Sequence, residues 1–116
     1  MNRVSSFGSA LLLAVLQLVC AFAQAQDVNY ARNLAATCFT CHGTDGRSVG
    51  GVPPSLAGQD RNYLLQQMQD FKSGKRPATI MHQHAKGYSD RQLELIAGYF
   101  AALKPGAGTP APRSGY

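Results

Sequence analysis

The 116-residue chain has no apolar run long enough to span a membrane, no run of Lys and Arg, and no internal repeat. Its longest apolar run, residues 10–23, is broken by Gln17 and has 14 residues, whereas a membrane span needs about 20. The cations form no long run and are not interleaved with aromatic residues, so the pattern that marks nucleic-acid binding is absent. At this length the chain holds one domain at most.

Cysteine is also scarce, which limits the kinds of metal or redox site that the chain can form. Apart from Cys20 in the N-terminal segment, the sequence offers only Cys38 and Cys41, and a zinc site needs further ligands at suitable spacing. No strand or βαβ pattern surrounds the pair, as a thioredoxin-like dithiol would require. The two cysteines belong instead to Cys38-Phe39-Thr40-Cys41-His42, which is C-x-x-C-H, the attachment signature of a c-type haem.

The order of residues in this motif fits the chemistry of haem attachment. Two thiols three residues apart can each add to one vinyl group of a single porphyrin, and His42 can then ligate the iron. The motif occurs once in the chain. The sequence therefore predicts one haem c, bound covalently through Cys38 and Cys41.

The first 25 residues have the pattern of a signal peptide. Arg3 supplies the positive start, the apolar run follows, and small-x-small sites end at Ala23 and Ala25. We expect cleavage after Ala25 and export to the periplasm, which leaves a haem domain at 26–104 and a flexible Gly- and Pro-rich tail at 105–116. An uncleaved membrane anchor is the alternative; after cleavage no stable membrane insertion is expected.

Periodicity and capping residues predict three helices in the haem domain. They are expected at about 28–37 after an Asp27 cap, at about 60–73, and from the Ser89 capping box to about 103. Two loops, 43–59 and 74–87, separate them. Gly98 weakens the last helix, which suggests close packing against the first helix at that point.

The loop 74–87 contains three candidates for a second iron ligand, namely Met81, His82 and His84. Met81 is favoured because the neighbouring Ile80 can help to cover the ring, whereas histidines in a loop are usually solvated. Met68 offers the same thioether, but it lies in a helical apolar stripe and is interpreted as a core residue.

The loop 43–59 has a candidate role on the other ligand. A fixed turn at Pro54-Ser55-Leu56 can present a main-chain carbonyl to the Nδ1–H of His42, which would set the tautomer and plane of an iron-ligating imidazole. A plain rigid turn is the alternative interpretation. Either Pro53 or Pro54 can supply the carbonyl.

Removal of residues 1–25 would leave ten Lys and Arg against six Asp and Glu, a net charge of +4, which two haem propionates lower to about +2. Four cations flank the Met81 loop: Lys72, Lys75, Arg76 and Lys86. No acidic residue lies between Asp70 and Asp90. The four cations form either a positive rim that steers an acidic protein partner or an ordinary solvated face.

Taken together, these segments resemble the small all-α class I cytochromes c of bacteria. The resemblance covers nearly everything from Asp27 to Leu103 and rests on residues 34–43, 54–59, 63–64, 71–76, 81, 85–90 and 97–101. Within that family, the run 71–99 looks most like the cytochrome subunit of flavocytochrome c sulfide dehydrogenase. Some relatives of that subunit carry two haem domains, whereas this chain carries one attachment motif.

The resemblance implies a fold in which the N- and C-terminal helices cross and helices and loops wrap around one covalently attached haem. It implies Cys38 and Cys41 as thioether anchors, His42 as the proximal ligand and Met81 as the distal ligand. It also implies Pro54 as the carbonyl partner of His42.

Two classes of function follow from a haem in this setting. The first is single-electron transfer without a substrate site of its own, as the cytochrome subunit or partner of a sulfur-compound (sulfide) dehydrogenase, which would be a flavoprotein. A stand-alone diffusible carrier to a terminal oxidase or reductase is the alternative within this class. The second class is peroxide or gas chemistry, which needs an open iron position that a Met ligand would close.

Overall fold

The computed structural model describes residues 4–106, with the side chains of 12–17 and 27–106, and the described residues contain helices but no strand. The helices are α1 (Val4–His42), α2 (Arg61–Ser73), α3 (Met81–Lys86) and α4 (Asp90–Ala102), with a 3₁₀ turn at Thr44–Gly46. The all-α class predicted from the sequence is confirmed. Beyond Gly106, the expected tail at 105–116 lies outside the described residues.

The chain divides into two units, Met1–Tyr30 and Ala31–Tyr116. The second unit holds the C-x-x-C-H motif and all of the predicted site residues. Among residues 4–106, no helix combines the length and the apolar character needed to cross a membrane.

Helix α1 is longer than the sequence predicted. The expectation that Asp27 caps a helix over 28–37 is wrong, because the helix passes through Asp27 and continues through the C-x-x-C-H motif to His42. No Gly or Pro occurs between Gly8 and Gly43, so nothing there removes a backbone donor or favours a turn. Gly43, with φ +80°, follows the last helical residue and is suited to end the helix.

Helices α2 and α4 begin as their capping residues predict. The Asp60 side chain accepts a hydrogen bond from the Tyr63 N–H at 2.8 Å, and Gly74 ends α2 in the left-handed conformation. At the start of α4, Ser89 and Gln92 form the reciprocal capping box. These local signals were sufficient because each cap depends on residues only three positions apart.

Helix α3 was not predicted, since residues 74–87 were interpreted as a loop throughout. Six residues, Met81–Lys86, form a short helix whose first bonds run from the N–H groups of Gln83 and His84 to the Ile80 carbonyl. One and a half turns are too short for hydrophobic periodicity to reveal. Met81 therefore begins a helix and is not a loop residue.

The core of the second unit is small and joins the end of α1 to α2 and α4. Its buried members are Ala35, Leu64, Ile96, Ala97 and Phe100. The rings of Phe39, Tyr99 and Phe100 pack with centroids 5.3–6.2 Å apart, which is typical of tilted and edge-on aromatic pairs. The end of α1 thus packs directly against α4.

The expectation that Gly98 packs against the first helix is wrong. A Cβ built at Gly98 would meet only the Nε of Arg61 within 4 Å, at 3.7 Å, and Arg61 is the first residue of α2. The sequence of α4 could not identify this neighbour, because a glycine in a helix does not indicate which element packs against it.

The loop 43–59 is anchored on Gly46 and on the end of α4. The Gly46 carbonyl accepts bonds from the N–H groups of Leu56 and Ala57 at 2.7 and 3.1 Å, and Gly58 N–H donates to the Phe100 carbonyl at 2.9 Å. Gly46 itself has φ +73°, and a Cβ there would lie 2.7 Å from the Phe100 ring. The loop can therefore approach α4 this closely only with glycine at position 46.

We expect Gly46→Ala to lower the free energy of unfolding by about 1–3 kcal/mol more than Gly50→Ala does, because only the former overpacks the loop against Phe100. Gly50 is the matched control, since its φ of +92° imposes comparable left-handed strain while a Cβ there meets nothing within 4 Å. The measurement is denaturant unfolding of the purified protein. If both variants lost the same free energy of unfolding, the close approach of position 46 to Phe100 would not be the cause of the loss.

Candidate functional site

A cavity of about 320 Å³ opens within the second unit, in the size range of small-molecule and cofactor pockets. Its wall draws on the end of α1, the loop 43–59, one face of α2, α3 and the core side of α4. Most of the lining side chains are apolar, among them Leu64, Phe71 and Phe100. A flat apolar ligand would complete a core that the chain fills only in part.

All five residues predicted for the site lie in the wall of this one cavity: Cys38, Cys41, His42, Pro54 and Met81. The first three share a helix face because α1 continues through the motif, so that Cys38, Cys41 and His42 stand at positions i, i+3 and i+4. The unpredicted extension of α1 thus explains how the motif presents two thiols and an imidazole to the same space.

His42 is held by a main-chain carbonyl. Its side chain is buried, and Nδ1 lies 2.7 Å from the carbonyl oxygen of Pro54. A carbonyl can only accept, so the proton of the neutral imidazole resides on Nδ1, and Nε2 keeps its lone pair. Of the two prolines that the sequence left open, Pro54 is the one at hydrogen-bonding distance.

The turn that carries the Pro54 carbonyl is fixed by the Ser55 side chain, whose role the sequence did not indicate, and by two residues that it did not single out, Ser48 and Gln59. Ser55, which is 1% exposed, accepts a hydrogen bond from the Ser48 N–H at 3.0 Å. Gln59 Nε2 donates to the Ser55 carbonyl at 3.4 Å. Serine in a loop has many common roles, so no pattern in the sequence distinguishes this one.

The segment after His42 is fixed by a second polar cluster, centred on Asp45. Its carboxylate accepts a hydrogen bond from Tyr99 Oη at 2.6 Å and lies 3.6 and 3.8 Å from the guanidinium groups of Arg32 and Arg47. Burial, together with the bond to Asp45, raises the pKa of Tyr99, so the phenol remains a protonated donor. The cluster ties the turn to α1 and α4.

The candidates for the second iron ligand differ in whether they line the cavity. Met81 and His84 line the cavity, whereas His82 does not. Met68 also lines the cavity, half-buried, so its interpretation as a core residue was wrong. The helical stripe of α2 faces both the core and the cavity, and hydrophobic periodicity cannot tell one from the other.

Tyr88, also unpredicted, connects two parts of the wall. Its hydroxyl lies 2.6 Å from Thr37 Oγ1 and 3.2 Å from the Leu34 carbonyl. Its own carbonyl accepts a bond from Lys72 Nζ at 2.8 Å. Tyr88 thereby links the end of α1 to the segment between α3 and α4.

The four cations around Met81 do not form a uniform positive rim. Lys72 Nζ lies 2.7 Å from Asp90, and Lys75 Nζ lies 3.5 Å from Asp70. The acidic residues that bound the cationic stretch in the sequence are thus its partners in the fold. Arg76 lines the cavity, and Lys86 is exposed without a recorded partner among residues 4–106.

The environment of Cys38 is unlike that of a reactive dithiol. Burial raises the pKa of the Cys38 thiol, whereas redox-active C-x-x-C pairs depend on a lowered thiol pKa.

The side chains in the wall include the donors that an iron porphyrin needs. They are two thiols, an imidazole with a free Nε2 and a thioether, in apolar surroundings. Fold and site together define an all-α haem-binding protein.

The Cytochrome c family model matches residues 29–104, and the protein belongs to the cytochrome c family. Membership in this family means a covalently bound haem c. The chain is 46% identical over 70 residues to the cytochrome subunit of sulfide dehydrogenase of Chlorobaculum tepidum, covering 60% of this chain and 63% of that protein. The resemblance predicted from the sequence is thereby confirmed.

A second relative is cytochrome c4 of Pseudomonas aeruginosa, 42% identical over 101 residues, which are 87% of this chain and 50% of that protein. Among solved structures, Acidithiobacillus ferrooxidans cytochrome c4 matches with a TM-score of 0.53 and 42% identity over 57% of this chain and 38% of the solved chain. The predicted class I cytochrome c fold is confirmed. The chain spans one half to two thirds of the length of these two sequence relatives.

We expect Ser55→Ala to lower the free energy of unfolding by about 1–3 kcal/mol, because it leaves the buried Ser48 N–H without an acceptor. Ser73→Ala is the matched control: its exposed hydroxyl donates to the Asp70 carbonyl at 3.3 Å, and its removal should change stability by less than about 0.5 kcal/mol. Both are measured by denaturant unfolding. A Ser55→Ala protein as stable as wild type would contradict this role.

Proposed function

We propose that the protein is a periplasmic monohaem cytochrome c that transfers single electrons. In this proposal Cys38 and Cys41 hold the haem through thioethers, and His42 and Met81 ligate its iron. The observation that carries the proposal is the buried His42, oriented by the Pro54 carbonyl at 2.7 Å, in the same cavity wall as both thiols and Met81.

The protein's own residues define what the site does. The bound haem supplies a one-electron Fe(III)/Fe(II) couple. The Pro54 carbonyl keeps the proton on Nδ1 of His42 and leaves Nε2 for the metal. Met81 would provide the iron with a thioether ligand and raise the potential, which favours electron transfer over peroxide or gas chemistry. The apolar wall excludes water and limits rearrangement around the iron.

The proposal includes export through the N-terminal segment. Residues 1–25 combine a positive start, an apolar run of 14 residues and small residues before the expected cleavage after Ala25. Covalent attachment would remove Cys38 and Cys41 from disulfide chemistry, which suits an oxidising compartment.

As its partner we propose a sulfur-compound dehydrogenase, of which this chain would be the cytochrome subunit or an acceptor. The 46% identity to the cytochrome subunit of a sulfide dehydrogenase supports this. So do exposed apolar side chains on two segments that contribute to the cavity wall. Val49 and Val52, in the loop leading to Pro54, are 97% and 89% exposed, and Ile80 of the cavity wall is 55% exposed.

The ion pairs of Lys72 and Lys75 neutralise two of the four cations near Met81, whereas Arg76 and Lys86 have no carboxylate partner among residues 4–106. Exposed apolar side chains beside partly neutralised cations are typical of a protein interface that depends less on electrostatic steering than a uniformly positive rim would. This combination favours a dehydrogenase that stays bound over a diffusible carrier to a terminal oxidase or reductase.

Covalent attachment is tested by replacing the cysteines. Wild-type protein on a denaturing gel should retain haem-linked peroxidase stain, Cys41→Ser should retain less, and the Cys38→Ser, Cys41→Ser double variant should retain none, because each thioether depends on one thiol. Immunodetection of the band checks that each variant is present. A wild-type stain that runs free of the polypeptide would refute covalent haem.

The distal ligand is tested by comparing Met81→Ala with Met68→Ala. Loss of the Met81 thioether should abolish the sulfur-to-iron charge-transfer band of the oxidised protein, lower the midpoint potential and allow carbon monoxide to bind the reduced iron. Met68→Ala is the control, because Met68 has the same side chain in the same wall, and it should keep the band.

The competing assignments give distinct results in the same spectra. If His84→Ala removes the wild-type ligand field while Met81→Ala does not, Met81 is the wrong ligand. Carbon monoxide binding to the reduced wild-type protein would support gas chemistry instead.

The docking surface is tested with the dehydrogenase of the same organism, by measuring cytochrome reduction across a salt series. We expect nearly salt-independent rates, co-elution of the two proteins in high salt, and slower reduction of a Val49→Ser, Val52→Ser double variant. Val28→Ser is the control, since Val28 is another exposed valine, at 62%, but lies in the other unit. A steep salt dependence lost in Lys75→Glu would instead identify a diffusible carrier that docks through its cations.

A further inference from the structure

Arg76 is the one Lys, Arg, Asp or Glu side chain among the described residues that line the cavity. Its side chain is exposed, so the guanidinium lies where the otherwise mostly apolar wall meets solvent. The sequence treated Arg76 only as one of four surface cations. Its place in the wall distinguishes it from Lys72, Lys75 and Lys86, which do not line the cavity.

The guanidinium group of Arg76 is fixed in position by two other residues of the wall. Its Cζ lies 4.7 Å from the centroid of the Phe71 ring, within the range of a cation–π contact. Its Nη1 donates to Gln67 Oε1, and its main-chain N–H donates to the Asp70 carbonyl at 3.0 Å. Phe71 and Gln67 both line the cavity, so these contacts hold the planar group along the wall although the Arg76 side chain remains exposed.

The protein provides no carboxylate for this cation within residues 4–106. Asp70, its nearest acidic residue in the chain, instead pairs with Lys75 at 3.5 Å and accepts from Gln66 Nε2 at 2.9 Å. Asp90 pairs with Lys72. Of the five N–H donors of the guanidinium, one is occupied, by Gln67.

We propose that Arg76 binds a propionate carboxylate of the haem, with Gln67 and Phe71 holding its guanidinium in position. The inference rests on the proposed function, which places haem in this cavity. Haem carries two carboxylates and otherwise an apolar ring, and a planar guanidinium matches a carboxylate with two parallel hydrogen bonds. Arg76 is therefore a positioning residue for the cofactor.

This assignment has a consequence for the iron. A fixed positive charge near the site disfavours the additional positive charge of Fe(III), so Arg76 raises the midpoint potential. Removal of Arg76 leaves the propionate uncompensated and lowers the potential. The iron ligands are not altered, because neither His42 nor Met81 contacts Arg76 through a recorded hydrogen bond.

The test compares Arg76→Gln with Lys75→Gln in the haem-loaded protein. The two variants remove the same charge from adjacent positions, but Lys75 is 74% exposed and paired with Asp70 outside the cavity wall. The readouts are the midpoint potential and the resonance Raman bending band of the propionates, which responds to hydrogen bonding of the carboxylate.

We expect Arg76→Gln to lower the potential and shift the propionate band while the sulfur-to-iron charge-transfer band remains. Lys75→Gln should leave the propionate band unchanged and alter the potential less. An unshifted propionate band in Arg76→Gln, or an equal fall in potential in Lys75→Gln, would overturn the inference.

If Arg76→Gln does not accumulate as holoprotein, Arg76→Lys decides the question. It retains the charge but loses the planar pair of donors, so a shifted propionate band supports the inference and an unshifted band overturns it. Failure of the proposed function gives a different result, since wild-type protein would then carry no covalent haem.

Discussion

The hydrogen bond between His42 Nδ1 and the Pro54 carbonyl is the constraint on which the rest of the site depends. One partner ends the first helix and the other lies in a loop, so the bond holds only if both are fixed independently. Ser48 and Ser55 fix the loop, Gly46 sets its distance from α4, and Asp45 fixes the turn after the helix. Much of the polar structure of the domain thus determines the plane of a single imidazole.

The small protein core follows from the same arrangement. Ala35 and Ala97 are almost completely buried, which allows close approach but provides little apolar area. The larger side chains, such as Phe71 and Tyr63, face the cavity and are only half-buried. Folding and cofactor retention are therefore coupled, because the ligand contributes apolar contacts that the chain does not make with itself.

The parts of the fold that the sequence predicted correctly are those encoded by residues close together in the chain. The caps at Asp60 and Ser89 depend on neighbours three residues away, and the C-x-x-C-H motif is contiguous. The Asp27 cap was also a local prediction, and it was wrong because the helix passes through this residue. Other features that the sequence did not reveal are of longer range. The partner of Gly98, the exposure of Met68 to the cavity and the ion pairs of Lys72 and Lys75 depend on which helices meet, and no local pattern records this.

Helix α1 runs without interruption through Asp27, so in the full chain this carboxylate stands in the middle of a helix, far from either end. The proposed cleavage after Ala25 would create a new end two residues away. The new α-amino group and the first amide N–H groups of the helix would carry positive charge there, and the Asp27 carboxylate would then stabilise them. Cleavage of the precursor would therefore move Asp27 from the middle of a helix, where its charge has little effect on helix stability, to the first turn, where its charge stabilises the helix.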